Sequence, residues 1–515
     1  MPNRSADALF QLVHTLEKSE KRAFKLYIKR NSSNTDLKIV QLFDALDRME
    51  VYDEAALERK LTAIKKQQLP NIKAHLYKEL LASLRLLKNE ENSIIQLHEQ
   101  LDYAWILYDR GLYLQSLKIL DKIKDLARSY NQDGFLIQII SLEKKIETLH
   151  ITRSMQGRAD MLAAEANEVH EKRLLITQLS NLALQLYSWY IKNGHARNEQ
   201  DEAGVRHFFK THFPKGAENH LGFYERLYCY QSYCWYAFIR QDFLMYYRYT
   251  QKWVDLFDAS PQMKALESGH YIKGMHNLLN AHFDLRNHRQ FHKVLQDFET
   301  FEASPTVQRH HNNRIQTFVY LNTARINGHF MAGTFKEGLN LVPHIEERLE
   351  EYSLFLDQHR ILVFYYKIAT LHFGSRDFNR CIDYLQKIIN LKVDLRNDLQ
   401  CYARVLHLLA HYELGNVDLM EYLTKSVYRF MAKMQNLTVV EEEMFQFFKR
   451  SLRISRSQVK PAMQQLLEKI KGLETNRFET RAFAYLDIIS WLESKVKNLP
   501  MEQVIRQKYL SNKHR

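Results

Sequence analysis

The stretch Tyr365–Ile388, YYKIATLHFGSRDFNRCIDYLQKI, decides the fold. Its first half sets Tyr365, Ile368, Ala369 and His372 on one helical stripe, at the i, i+3, i+4, i+7 positions. Its second half repeats the device with Phe378, Cys381, Leu385 and Ile388, and Gly374, Ser375 and Arg376 form a short break between the two. Two amphipathic helices joined by so short a link make a helix hairpin. Their stripes face each other, and their far sides must face other hairpins.

Working outward, the second helix of this hairpin has siblings. Tyr113, Ser116, Leu120 and Ile123 form one, behind Gly111. Others are Phe243, Tyr246, Thr250 and Trp253; His288, Phe291, Leu295 and Phe298; Phe335, Gly338, Val342 and Ile345; and Val417, Met420, Thr424 and Val427 behind Gly415. The starts at 113, 243, 288, 335, 378 and 417 are separated by 130, 45, 47, 43 and 39 residues. The first interval is about three steps of the others, which places two weaker copies near 156 and 199, in MQGRADMLAAEANEV and NEQDEAGVRHFFKTHF. Pro214, Pro261 and Pro305 mark hairpin ends at matching intervals.

The motifs G-x-Y-x-x-S-x-x-x-L-x-x-I from Gly111 and Y-x-x-I-A-x-x-H…F-x-x-C-x-x-x-L-x-x-I from Tyr365 resemble tetratricopeptide repeats, over roughly residues 95 to 435. The resemblance implies an all-α, right-handed α-solenoid of stacked hairpins whose first helices line a concave groove. Two departures qualify it. The period is longer than the family's usual one of about 34 residues, so the helices should be longer. The small residue expected where the helices touch is Ser116, Gly338 or Cys381 in some copies but Tyr246, Phe291 or Met420 in others, and those copies should pack more widely. Pro343, inside a second helix, should kink it.

Composition fits this reading. A chain of 515 residues exceeds one compact core, and 15 glycines and 8 prolines are few for a fold rich in sheet turns. The 29 tyrosines and 28 phenylalanines suit thick helices packed through aromatic rings. The formal charge of +13 arises from 73 basic against 60 acidic residues, an excess that serves solubility as readily as acidic partners. Cys229, Cys234, Cys381 and Cys401 lie in apolar helical context without a CxxC pair, which predicts buried, reduced thiols. MPNRSADALF lacks the apolar core of a signal peptide and no run of 18 apolar residues occurs, so a cytoplasmic protein without membrane contact is expected.

The pattern divides the chain into an N-terminal helical module (1–90), the tetratricopeptide-like repeats (91–435) and C-terminal capping helices (436–515). In the module, candidate helices begin with Ser5–Leu16 and Ser19–Lys29, with Ser19 and Asp53 as N-caps. Lys18, Lys21, Arg22, Lys25 and Lys29 make a basic stripe that suits phosphates or an acidic protein, or else a solvated helix face. Asp53–Leu87 holds two helices, but the connector LTAIKKQQLP is too long for a DNA-binding helix-turn-helix, which would need Lys73, His75 and Lys78. The cap carries a second basic run from Lys449 to Lys460, with Arg506, Lys508, Lys513 and Arg515 beyond it.

Chemistry is sparse. His288/His292 and His407/His411 have the i, i+4 spacing of zinc ligands but not the intervening Glu of a metalloprotease, and His270, His276, His282 and His288 recur every six residues, which cannot converge on a helix. No P-loop, dinucleotide turn or nucleophile elbow occurs, so no enzyme and no cofactor is expected. The most distinctive surface is Phe223–Phe257, with 14 aromatics in 35 residues. With Tyr230, Tyr233, Cys234 and Ala237 as its packing stripe, Tyr228, Gln231, Trp235 and Phe238 point into the groove. The same alignment adds His276, Asn280 and Phe283, and then Tyr366, Thr370 and Phe373. Aromatic faces beside amides suit an extended peptide, and also suit plain packing or single-stranded nucleic acid. The expected function is a non-enzymatic interaction scaffold or peptide-binding module. The alternative is a regulator whose N-terminal module touches nucleic acid while the repeats sense a ligand.

Overall fold

In a computed structural model the chain is described over residues 7–30, 34–61, 63–88, 92–150, 157–219, 222–391, 397–434, 437–479, 483 and 485–513, and these contain helices and no strand. Expectations that fall on Ser5, Met155, residues 480–482 and Arg515 lie outside the described residues. Two compact units result, 1–173 and 174–515. The divisions near 90 and 435 mark where the repeat pattern starts and stops, which is a different partition of the chain.

In the first unit, helices Ala8–Thr15, Lys18–Arg30, Asn34–Asp47, Glu54–Lys60 and Leu69–Lys88 enclose one core around Val13, Phe24, Phe43, Leu57 and Leu76. Asp7 and Asp53 cap two of them, each accepting from two backbone amides. Ser19 does not cap. The helix begins one residue earlier, and the Glu20 carboxylate takes the Glu17 N–H at 2.9 Å instead. Beyond the module, Ser93–Asp109 and Tyr113–Ser129 pair across Gly111, whose φ of +75° supplies the left-handed turn. Ser116, fully buried at their contact, donates to the Ala104 carbonyl at 2.7 Å.

Helices pack in neighbouring pairs along the rest of the chain. Second helices start at Tyr113, Arg158, Glu199, Phe243, His288, Phe335, Phe378 and Val417, so helices do begin near 156 and at 199. The copy at 158 differs from a hairpin arm. Arg158–Asn193 is one helix of 36 residues that joins a second helix to the next first helix, because no Gly or Pro interrupts it before Gly194, where φ is +76°. Pro343 acts as expected. The helix from Phe335 stops at Gly338, passes through a tight turn at Leu339–Leu341, and restarts as Val342–Glu351 with Pro343 in its first turn. Gly338 lets the turn approach Leu371 closely, since a Cβ would stand 2.7 Å from Leu371 Cδ2 and that side chain would have to shift.

The C-terminal helices Val439–Ser451, Arg456–Leu473, Ile488–Lys497 and Met501–Lys513 depart from a simple terminal cap. The last one lies against His311–Ala332 and His288–Glu302, several pairs back along the unit. Its buried Met501, Val504 and Ile505 need an apolar partner, and the repeats provide one. Gly333 sits at the tightest point of this contact. Its φ is +64°, and a Cβ would lie 2.7 Å from the Glu502 carbonyl oxygen and 2.8 Å from the Arg506 nitrogen. Gly333→Ala therefore combines a strained left-handed residue with a backbone clash, and should cost about 2 kcal/mol or more. Chemical denaturation should show the loss, and limited proteolysis should show the C-terminal helix released first. An unchanged stability would mean that the helix does not seat on Gly333.

Candidate functional site

The second unit contains a cavity of about 400 Å³, partly open to solvent. One wall comes from the first helices of successive pairs, Phe223–Ile239, Ser268–Asp284, His311–Ala332 and Gln358–Gly374, with Tyr187 and Tyr190 from the long helix. The other wall is the chain's own C-terminal segment, through Phe483, Tyr485, Leu486, Asp487, Met501 and Ile505.

Of the residues the sequence assigns to a groove, Trp235, Phe238, His276, Asn280, Phe283, Tyr366, Thr370 and Phe373 all line this cavity. Tyr366, Thr370 and Phe373 are buried at 6%, 6% and 3% exposure, which an open groove would not produce. The Tyr366 hydroxyl already donates to the Tyr485 carbonyl at 3.1 Å. Tyr228 and Gln231 lie elsewhere. They sit one to two turns before Trp235, about 10 Å along the axis for Tyr228, and both meet His270 instead. Gln231 Nε2 lies 3.0 Å from His270 Nδ1, and the Tyr228 ring meets the His270 ring edge-on at 5.8 Å. Cys234 and Ala237 are buried as the packing stripe requires, while Tyr230 and Tyr233 are half-buried, with Tyr233 stacked on Tyr249 at 4.2 Å.

Sequence reasoning missed the charged residues of the cavity. Lys273, Asp284, Arg360 and Lys367 all line it. Lys367 had a signal, because it is the only Asp, Glu, Lys or Arg between Ile361 and Gly374. Its ammonium donates to Asn327 Oδ1 at 2.5 Å and lies 5.5 Å from the Phe330 ring centroid. Burial pushes it down to about 8, against the opposing pull of Asp284. Burial likewise pushes the Asp284 carboxyl up to about 7, against Arg286 and Lys367. His276 is held well below the usual imidazole range, first by burial and then by the charges of Lys273, Lys367 and Arg360. Asn280 Nδ2 stands 3.1 Å from His276 Nε2 and donates to it, so the neutral ring keeps its proton on Nδ1. That Nδ1 is buried and has no hydrogen-bond partner among the described residues.

The other candidates are placed as follows. Lys18, Lys21, Arg22, Lys25 and Lys29 line a shallow surface depression of the first unit. Lys21 pairs with Asp47 at 2.5 Å and Lys25 with Asp44 at 2.6 Å, so the stripe is partly neutralised. Lys73 is engaged by Asp7 and by the Tyr52 hydroxyl, His75 lies 3.4 Å from Glu79, and Lys78 is exposed. His288 meets Tyr509 edge-on, His407 and His411 contact each other ring to ring at 4.5 Å, and His372 Nδ1 lies 3.2 Å from Asp377. Among the described residues no group of three or more His, Cys, Asp or Glu side chains is placed to hold a metal ion, and no helix is long and apolar enough to cross a membrane. All four cysteines are buried and outside any disulfide, and burial pushes the Cys229 thiol up to about 12.

The two shifted groups give stability a defined pH profile. The raised Asp284 pKa means that the folded chain holds a proton the unfolded chain has lost, so stability falls as pH rises from about 4 to about 7. The lowered Lys367 pKa makes stability recover as pH rises from about 8 towards the ordinary lysine range. Asp284→Asn should therefore raise the melting temperature at pH 7.5 more than at pH 5; an equal change at both would show that Asp284 is not buried against its charge. A scan against protein-family models finds none that matches this chain, and no curated protein matches it.

Proposed function

We propose that the chain is a non-enzymatic, cytoplasmic binding module built on a right-handed, tetratricopeptide-like array, and that its repeat face holds a small ligand or a peptide of a few residues. The cavity carries this reading. Its volume of about 400 Å³ lies within the range of small-molecule sites, and it joins aromatic walls to a few convergent polar groups. A long peptide laid along the first helices would have to displace the C-terminal segment, including the Tyr366–Tyr485 hydrogen bond. The scaffold expectation thus narrows from an extended partner to an enclosed one. Rings, amides and cations converge there with the Asp284, Asp357 and Asp487 carboxyls and the His276 imidazole, and the buried thiols lie outside the lining. A nucleic-acid-contacting N-terminal module rests only on Lys18, Arg22 and Lys29, the members of the basic stripe without an ion pair among the described residues.

A thermal-shift screen of the full chain against neutral and charged organic compounds and di- to tetrapeptides tests this. A ligand at a hundred times its Kd should stabilise by about 2.7 kcal/mol, a rise of a degree or more. Asn280→Phe, which fills the cavity from a half-exposed position, should abolish the shift. Failure of every compound to shift the wild-type chain, or shifts that persist in Asn280→Phe, would overturn the reading.

A further inference from the structure

Resting on that reading of the cavity, we propose that its ligand is an organic anion: a carboxylate or phosphate monoester held among Lys273, Arg360 and Lys367, carried on a flat apolar group that lies against Trp235. The cations come from two helices, and the charges of all three reach His276. Lys273 Nζ stands 5.0 Å from the Tyr320 ring centroid and 5.8 Å from that of Trp235. Arg360 Cζ stands 5.5 Å from the same Tyr320 ring, and His276 stacks on it at 4.2 Å. Lys367 lies two turns further along the helix from Arg360 and is fixed by Asn327.

This corner is short of negative charge. Among the described residues no carboxylate forms an ion pair with Lys273 or Lys367. Arg360 Nε is 3.7 Å from Asp357, but that carboxylate also caps its own helix by accepting from the Arg360 backbone N–H at 2.9 Å. Asp487 is likewise a helix cap, accepting from the backbone N–H and the hydroxyl of Ser490. Asp284 is the remaining carboxyl, and its burial favours the neutral acid. Lys273 and Lys367 are half-buried without a carboxylate partner and Arg360 has only the Asp357 carboxylate at 3.7 Å, so an incoming anion gains charge-assisted hydrogen bonds from groups with donors to spare. The unpartnered His276 Nδ1–H adds a neutral donor beside them. The neighbouring wall is aromatic: Trp235 packs on Tyr187 at 4.7 Å and on Tyr190 at 5.8 Å, and its ring is the natural platform for a flat group.

Isothermal titration of the full chain with N-acetylphenylalanine, its uncharged amide and phenyl phosphate, at constant ionic strength, tests the proposal. At least one charged probe should bind, and the amide should bind about tenfold more weakly or not at all. Whether the carboxylate or the phosphate binds better identifies the anion. Lys367→Met should fold, because it removes a buried ammonium without a carboxylate partner, and should erase the preference for charge. Lys273→Met should do the same, while Lys293→Met, the same charge change at an exposed site, should not. An amide that binds as well as the acid, with both lost in Asn280→Phe, would overturn the anion and leave the cavity as a site. So would three silent probes in a chain that the screen shows to bind neutral compounds. Silence of probes and screen together would remove the site itself.

Discussion

The second unit depends on the return of its C-terminal segment over the first helices of the repeats. Local sequence does not dictate that return; a small set of buried polar contacts secures it. The Tyr366 hydroxyl, deep in the unit, finds its acceptor 119 residues away in the Tyr485 carbonyl. The Tyr485 ring stacks on Tyr402 at 4.0 Å, and its hydroxyl is taken by Asp398. Trp491 and Lys495 both donate to Glu413, and Arg477 reaches Glu202. Burial alone would raise the Glu202 carboxyl, but Arg206, Arg240 and Arg477 outweigh it and hold the group below the usual carboxylate range. A buried carboxylate so surrounded is costly to strip of one partner, which makes these ties specific as well as stabilising.

The cavity follows from this arrangement. First helices in stacked pairs leave one face uncovered, and here that face carries rings, amides and cations in place of an all-polar surface. Covering such a face completely would bury Lys273, Lys367 and Asp284 with no ion pair among the described residues. Leaving it bare would expose Phe373 and Leu399, together with the apolar parts of the C-terminal helices. The segment through Phe483 and Tyr485–Asp487 and the helix from Met501 close over this face, and the space left between is the cavity.

Much of the helical scaffold was legible because its signals are local. Stripes such as Cys381, Leu385 and Ile388 repeat within one helix, and their spacing located helix starts as faint as Arg158 and Glu199. Pro343 announced its own break. The long helix Arg158–Asn193 was legible only in the negative, as a stretch without Gly or Pro. Eight groove residues share the cavity because the same helical alignment that stacks the pairs also aligns their faces. Tyr228 and Gln231 fall outside because periodicity fixes a side of a helix and not a height along it. The closing of the groove was not legible at all. Its contacts join residues 78 to 275 positions apart, and no period connects them.

The charged corner argues for function through the rules it breaks. A helix needing only to pack would carry a leucine or methionine where Gln358–Gly374 carries Lys367. Asp284 does not serve as its salt-bridge partner, since the two shift each other's titration yet form no ion pair among the described residues. His276 spends one nitrogen on Asn280 and leaves the other buried and unused. Each of these is a demand only partly met inside the unit: an ammonium held by an amide but by no carboxylate, an acid held near its neutral form, a donor without an acceptor. A single bound anion would answer the first and the third together. An extended, neutral peptide would answer neither, and the C-terminal segment already occupies its path. The size of the cavity and the sign of its charge therefore point to the same class of occupant.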